Sequence, residues 1–138
     1  MGRVLLRATQ EAVSISENAT SIEPSRYAPA EARRQVATVC ADWPAAVLQV
    51  AQLLTTEVVT NAVVHGTGAV VFRALCRGNL LRVEVGDAGP GLPRRVQPDG
   101  VRRTGGRGLL ILAALAADWG VERWDGGKTV WFELRRPT

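Results

Sequence analysis

The stretch from Leu53 to His65, LLTTEVVTNAVVH, constrains the fold most strongly, because it is an apolar helical run that contains regularly spaced polar groups. Glu57, Asn61 and His65 are each four residues apart, so a helix places their side chains on one face. Leu53 and Val64 belong to the same side, which predicts that the polar groups lie within the apolar stripe. Since burying an unpaired polar group is costly, we expect this carboxylate, amide and imidazole to have partners elsewhere.

The composition is that of one small globular domain. The chain has 138 residues, 46% of them hydrophobic, which suits a single domain over residues 1–138. Cys40 and Cys76 lack metal-ligand spacing, so we interpret them as small buried hydrophobic residues in a reducing compartment. No apolar run approaches the roughly 20 residues of a membrane span. The N-terminus also lacks the pattern of a signal peptide, so we expect a cytoplasmic protein without membrane contact.

Positive charge is concentrated in one segment of the chain. The net charge is +4, and Lys128 is the only lysine. Within a region rich in glycine and proline there are five arginines, Arg94, Arg95, Arg102, Arg103 and Arg107. Such a cluster fits a phosphate better than a long duplex, although it also suits a solvated loop. No recognition motif for nucleic acid is present, so direct nucleic-acid binding is not expected.

The hydrophobic pattern predicts an α+β fold. Helices are predicted over about 30–40, 45–65 and 108–117, and strands over 69–76, 80–87, 121–124 and 129–134. Short strand-like runs occur at 3–8 and 11–16, and irregular connections are predicted at 16–29 and 88–107. Strands in runs, rather than strict β-α alternation, indicate a mixed, mostly antiparallel sheet with the helices on one face.

Three motifs carry the functional prediction through their order. They are Glu57-x-x-x-Asn61-x-x-x-His65 within a helix, Asp87-Ala88-Gly89-Pro90-Gly91 after a strand, and Gly105-Gly106-Arg107-Gly108-Leu109 at the start of a helix. Each motif alone has an ordinary interpretation, as surface polar residues, a turn or a linker. A helix that begins among glycines can, however, present unpaired N–H groups to phosphates. The ordered set indicates an ATP-binding site.

The three motifs resemble the N box and the two glycine boxes of the GHKL ATPase superfamily, over about residues 30–136. This resemblance implies a two-layer α/β sandwich of the Bergerat type. The chain length and the sequences NAVVHG and GKTVWFEL are most similar to small bacterial anti-sigma factor serine/threonine-protein kinases. His65 is the only histidine and belongs to the N box, so a sensor histidine kinase with a separate phosphoacceptor histidine is not expected.

The resemblance also implies roles for individual residues. Glu57 would be the general base, and Asn61 would be the Mg²⁺ ligand. Asp87 would accept a hydrogen bond from the adenine amino group. For His65, a contact with the nucleotide and a hydrogen bond at the helix end remain open alternatives. The other residues expected to contact ATP are Gly89, Gly91, Gly105, Gly106, Arg107, Gly108, Leu109 and Thr129.

The leading hypothesis is an ATP-dependent serine/threonine protein kinase that also acts as an anti-sigma factor. By resemblance, it would bind a sigma factor and phosphorylate a STAS-type anti-anti-sigma protein, with ATP and Mg²⁺ as cofactors and a homodimer as its assembly. The alternative is an ATP-binding regulatory module that sequesters a partner without kinase activity, because a set of nucleotide motifs does not establish turnover.

Overall fold

A six-stranded sheet is the framework of the computed structural model, which describes residues 2–6, 19–87, 104–124 and 126–137. The elements in chain order are β1 (Gly2–Leu6), β2 (Thr20–Ile22), α1 (Ala28–Val39), α2 (Ala45–His65), β3 (Val70–Arg77), β4 (Leu80–Asp87), α3 (Thr104–Leu115), β5 (Asp118–Trp124) and β6 (Gly127–Arg135). The strand order is β1-β5-β6-β4-β3-β2. β1 is parallel to β5 and the other pairs are antiparallel, which confirms the predicted fold class.

The first two helices begin and end where local sequence signals place them. Pro29 lies in the first turn of α1, where a missing amide proton is tolerated. Pro44 precedes α2, which ends at His65. The backbone N–H of Gly66 then donates to the carbonyl of Ala62 at 2.9 Å and closes the last turn. The predicted helix over 45–65 is therefore confirmed.

The core lies between the helices and one face of the sheet. Strand residues alternate, so Val83 pairs with Phe132 and Val85 pairs with Val130 on this face. Phe72 of β3 extends the same row next to Val85. These side chains form one buried cluster with residues of α1 and α2 and with Leu112 of α3. The predicted placement of the helices on one face of the sheet is confirmed.

The opposite face of the sheet carries a charged network. Glu84 accepts hydrogen bonds from Arg73 at 3.2 Å and from Arg82 at 2.8 Å. Arg82 also donates to Glu133 at 3.0 Å, and its guanidinium carbon lies 4.3 Å from the centre of the Trp131 ring. Burial alone would lower the pKa of Arg82, but its bonds to Glu84 and Glu133 raise that pKa overall. The network therefore keeps its charges paired.

α2 is a core helix, although it has the length and composition of a membrane span. It has 21 residues, and its most apolar window has a mean hydropathy of 1.3. The expectation that no apolar run approaches that length was therefore wrong. The helix contacts α1, α3, β3 and β4, and its buried side chains join the core cluster. Packing within the domain explains the buried residues of the helix, which make up 33% of that window.

The two cysteines are free, and they belong to the core cluster or pack against it. Cys40 is fully buried, whereas Cys76 is only partly buried. Burial and the neighbouring Cys76 raise the pKa of the Cys40 thiol to about 12. The thiol is therefore protonated at neutral pH, in agreement with its interpretation as a small hydrophobic residue.

Three predicted boundaries were wrong. β2 lies within the predicted connection 16–29. It has only three residues, which is too short for a periodic pattern, and it is defined by its pairing with β3. α3 begins at Thr104 rather than Gly108, because the first turn of a helix tolerates glycine. β5 begins at Asp118, whose register opposite Glu133 extends the strand. The predicted run 11–16 and residues 88–103 lie outside the described residues.

Candidate functional site

The polar row of α2 lies at the border between the core and the surface. Asn61 is buried, Glu57 is half-buried and His65 is exposed. Leu53 is 42% exposed and Val64 is 59% exposed, so the expectation that this row lies within the buried stripe was wrong. The helix is rotated so that its core face is formed instead by Ala51, Leu54, Thr55, Val58, Val59 and Ala62. The row is therefore accessible to a ligand on one side.

Asn61 carries a buried acceptor that has no partner. The side chain is 9% exposed, and its Oδ1 lacks a hydrogen bond within the described part of the chain. Two threonines of α2 are satisfied locally, since Thr55 donates to the carbonyl of Ala51 at 2.8 Å and Thr56 donates to the carbonyl of Gln52 at 2.8 Å. An unsatisfied buried acceptor costs about 1–3 kcal/mol. Oδ1 of Asn61 is therefore a candidate acceptor for a contact with a ligand.

A hard cation with few protein ligands fits this oxygen. Mg²⁺ prefers oxygen ligands and keeps several waters, with phosphates supplying much of the remaining shell. Among the described residues no group of histidine, cysteine and acidic side chains could hold a metal by itself. Asn61 is therefore suited to one Mg²⁺ ligand position and not to a site built from protein ligands alone.

Glu57 and His65 lie one helical turn to either side of Asn61. The side chains of Glu57 and His65 form no hydrogen bond or ion pair with any residue in the described ranges. The helix-end hydrogen bond considered for His65 is thus not formed with those residues, and its contact with a nucleotide stays a prediction. The carboxylate of Glu57, half-buried beside Asn61, is placed to accept a proton from a group bound near the helix.

Asp87 forms a buried ion pair that the sequence analysis did not identify. The two residues Asp87 and Lys128 are directly opposite each other in the pairing of β4 with β6. The Nζ of Lys128 lies 3.1 Å from Oδ1 of Asp87, and the side chains are 5% and 2% exposed, respectively. The available signal was that the only lysine directly precedes Thr129 at the start of a predicted strand.

Gly66 brings the end of α2 against Asp87. A Cβ at this position would lie 2.5 Å from the carbonyl oxygen of Ala62 and 2.8 Å from Oδ1 of Asp87. Both distances are shorter than real Cβ contacts, so a larger residue would displace the helix end or the carboxylate. The absence of a side chain, rather than an unusual backbone angle, is what this glycine supplies. The first motif and Asp87 of the second are therefore adjacent.

Thr129 lies beside this cluster but on the other side of the sheet. It pairs with Gly86 on β4 and with Glu122 on β5, and it is buried. Because successive side chains alternate between faces, Thr129 is directed away from the face of Asp87, which is shared by Lys128. The predicted contact of Thr129 with the adenine edge stays a prediction.

The third motif opens α3. Gly105 and Gly106 lie in its first turn, where the backbone N–H groups have no partners within the helix, and Gly108 follows in the next turn. α3 contacts both α2 and β5, so its helix is part of the same half of the molecule. The side chains of Arg107 and Leu109 lie outside the described part of the structure, as do residues Gly89 and Gly91. Their predicted contacts with ATP stay predictions.

Solved structures share this architecture. The Erythrobacter litoralis EL346 blue-light activated histidine kinase aligns with 98% of this chain and 35% of its own, at 22% identity and a TM-score of 0.55. The histidine kinase domain of that protein aligns with 85% of this chain and 67% of its own, at 21% identity and a TM-score of 0.53. The Acinetobacter baumannii histidine kinase AdeS aligns with 94% of this chain and 76% of its own, at 12% identity and a TM-score of 0.50.

These likenesses support the fold, and this chain spans about a third of the length of the first of them. None of the curated proteins compared matches the chain significantly. The sequence profile of the histidine kinase-like ATPase domain matches residues 22–134. Such a domain supports an ATP-binding regulatory module. The chain belongs to the histidine kinase-like ATPase domain family of the GHKL superfamily.

Proposed function

We propose that this protein is an ATP-dependent serine/threonine protein kinase and anti-sigma factor that phosphorylates a STAS-type anti-anti-sigma protein. The observation that carries the proposal is the buried, unpartnered Oδ1 of Asn61, one helical turn from the carboxylate of Glu57. An acceptor for a cation next to a potential base is the pairing that phosphoryl transfer requires. Sigma factor binding, a homodimer and a cytoplasmic location belong to the same proposal and rest on the sequence resemblance.

Three parts of the chain would hold the nucleotide. Asp87 would accept a hydrogen bond from the adenine amino group, at the end of β4. Asn61 would give Mg²⁺ its protein oxygen ligand, and the bound ion would neutralise charge on the phosphates. The first turn of α3, with Gly105 and Gly106, would present N–H groups and the positive end of the helix dipole to the phosphates. Gly108, in the next turn, would let the backbone approach them closely.

Glu57 would then activate the acceptor hydroxyl. Its carboxylate takes the proton of a partner serine or threonine while the hydroxyl oxygen forms a bond to the γ-phosphorus. The bond from that phosphorus to the bridging oxygen of ADP breaks, so the products are a phosphoserine or phosphothreonine and ADP. The proton leaves Glu57 to solvent. The protein contributes mainly positioning and charge stabilisation, as is usual for phosphoryl transfer.

The histidine content of the chain favours a serine or threonine acceptor. His65 is the only histidine in this sequence, and it lies at the exposed end of the same α2 row. The similar solved structures are histidine kinases, so the chemical nature of the phosphorylated product is the decisive distinction. Phosphoserine and phosphothreonine survive acid, whereas phosphohistidine is hydrolysed by it.

Phosphotransfer from radiolabelled ATP to a co-purified STAS-type partner tests the proposal. The wild-type protein should give an acid-stable phosphoprotein. Glu57→Ala should lower the transfer rate by at least about 100-fold, because general-base catalysis contributes about that much. ATP affinity should change by less than about threefold, because Glu57 acts on the acceptor rather than on bound nucleotide. Glu23→Ala, at an exposed residue outside the site, is the matched control and should leave both quantities unchanged.

One observation favours the alternative, a module that binds ATP and sequesters a partner without catalysis. A general base is usually oriented by a second group, and Glu57 has none among the described residues. The same experiment separates the two functions. Tight ATP binding and partner capture with no transfer would establish the sequestering module, and transfer that survives Glu57→Ala would remove the proposed catalytic role.

A further inference from the structure

We propose that Lys128 positions the carboxylate of Asp87. The site thereby selects adenine over a purine that carries a carbonyl group in place of the amino group of adenine. This inference rests on the proposed function, because it requires a purine nucleotide to bind beside Asp87. It adds a specificity-determining residue that lies outside the three sequence motifs. Lys128 is a positioning residue, since it acts on the nucleotide through Asp87.

The contact between the two side chains is direct and shielded from solvent. Nζ of Lys128 donates to Oδ1 of Asp87 at 3.1 Å, with 5% and 2% of the side chains exposed. The residues are opposite each other in the β4–β6 register, so the backbone itself sets their spacing. A charge-assisted bond in a low-dielectric surrounding is stronger than the same bond in water. The ammonium group therefore restricts the rotation of the carboxylate.

The neighbourhood of Asp87 makes this cation necessary. Gly66 and the carbonyl of Ala62 belong to the last turn of α2, and a Cβ on Gly66 would lie within 2.8 Å of Oδ1 of Asp87. A helix C-terminus carries a partial negative charge, which disfavours a carboxylate placed against it. Burial also removes the carboxylate from water. The ammonium group of Lys128, 3.1 Å from Oδ1, compensates for both effects.

The charge state of Asp87 decides which purine it accepts. An ionised carboxylate only accepts hydrogen bonds, so it complements the amino group of adenine and opposes the carbonyl oxygen of hypoxanthine. A site built for one hydrogen-bonding partner strongly rejects an analogue that lacks it. Without the ammonium, the carboxylate can turn away from the position of the adenine amino group. Loss of Lys128 should therefore reduce discrimination, not only affinity.

Calorimetric titrations with ATP and with inosine triphosphate test the inference. The wild-type protein should bind ATP at least about 100-fold more tightly than inosine triphosphate, and Lys128→Met should reduce this ratio to below about 10. Lys128→Arg retains a cation and should keep most of the selectivity. Arg135→Met removes an exposed cation from the other end of β6 and is the matched control, with a ratio like that of the wild type.

A second measurement keeps the test independent of the folding of Lys128→Met. Isotope-labelled lysine gives a single side-chain signal in the wild-type protein, because Lys128 is the only lysine. ATP should shift this signal, and inorganic tripolyphosphate at saturation should not. An equal shift with tripolyphosphate would overturn the inference, because Lys128 would then respond to phosphate.

The inference would also be overturned if folded Lys128→Met preferred ATP over inosine triphosphate as strongly as the wild-type protein does. The proposed function would then stay in place. By contrast, a wild-type protein that binds neither nucleotide would overturn the proposed function itself.

Discussion

β4 contributes a buried carboxylate to each of two polar clusters, on opposite faces of the sheet. Glu84 is bonded to two arginines, and the network continues through Arg82 to Glu133. Nε of Arg73 lacks a hydrogen bond to the described groups. On the helical face, Asp87 is paired with the ammonium group of Lys128. The buried Oδ1 of Asn61, by contrast, has no hydrogen-bond partner among the described residues. The first cluster is nearly complete in itself, whereas the second is complete only with a ligand.

This difference teaches how to separate structural from functional polar groups in one domain. Buried polar groups are normally paired, so a closed network is explained by stability. An unpaired acceptor at the border of the core needs another explanation, and a ligand supplies it. Changes at Glu84 should therefore affect folding, and changes at Asn61 should affect nucleotide binding.

Asp87→Ala should produce the largest loss of ATP affinity. Removing a charged acceptor from the adenine amino group should weaken binding about 10- to 100-fold. Binding of tripolyphosphate should be nearly unchanged, because the phosphates would lie at Asn61 and α3. Calorimetry gives both affinities, and Asp87→Asn separates loss of charge from loss of shape. Unchanged ATP affinity in folded Asp87→Ala would remove this residue from the site.

Glu84→Ala should lower the stability of the protein and leave its ATP affinity unchanged. Breaking a buried ion pair can cost about 3–5 kcal/mol, but Arg82 is partly exposed, so we expect a loss of about 1–3 kcal/mol in the free energy of unfolding. Urea denaturation measures this loss. ATP affinity of the folded variant should match that of the wild type. A parallel fall in ATP affinity would show that the two faces are coupled, contrary to the comparison.

Asn61→Ala should weaken ATP binding without destabilising the protein. Loss of one oxygen ligand should reduce the Mg²⁺-dependent part of the affinity by about tenfold. The free energy of unfolding should stay the same or rise, because the variant removes a buried acceptor that lacks a partner. Titrations with Mg²⁺ and with EDTA, together with urea denaturation, measure both effects. A marked loss of stability would instead indicate a structural role for Asn61.

The smallest expected effect is on the pH dependence of stability, and it comes from Cys40. This residue lies in the hydrophobic core, away from both polar clusters. Its pKa is raised by burial to about 12, above the usual thiol value. The contribution to stability is therefore complete below the unfolded-state pKa, near 9, and falls as the pH rises from there toward 12. Between pH 8 and about 9.5 the wild type should lose about 1 kcal/mol relative to Cys40→Ala. Urea denaturation across this range checks the slope.

Much of the fold was predictable because periodic patterns and helix signals agreed. The apolar repeat and Gly66 gave α2, and the alternation in Leu80–Asp87 gave β4. The short strand Thr20–Ile22 was not predictable, because its pairing with β3 and not its composition defines it. The rotation of α2 was also missed, since Leu53 and Val64 are as hydrophobic as core residues and only tertiary packing shows that they are exposed.

Part of the candidate site was also predictable from the sequence, and part was not. Spacing alone placed Glu57, Asn61 and His65 on one face of a helix. The contact of Lys128 with Asp87 joins residues 41 positions apart, and it follows from the β4–β6 register. No local pattern encodes that register. Sequence motifs therefore identified the groups expected to contact the nucleotide. The contact of Lys128 with Asp87 could be found only from the structure.

Paramagnetic relaxation with Mn²⁺ and ATP tests the central claim most directly, because Mn²⁺ replaces Mg²⁺ and broadens the signals of nearby nuclei. On isotope-labelled wild-type protein, we predict strong broadening around Asn61, including Glu57 and Gly66, and little broadening around Glu84 and Arg82. Broadening that centres on the charged face, or that is absent at saturating nucleotide, would contradict the assignment of the unpaired oxygen of Asn61 to a metal–nucleotide site.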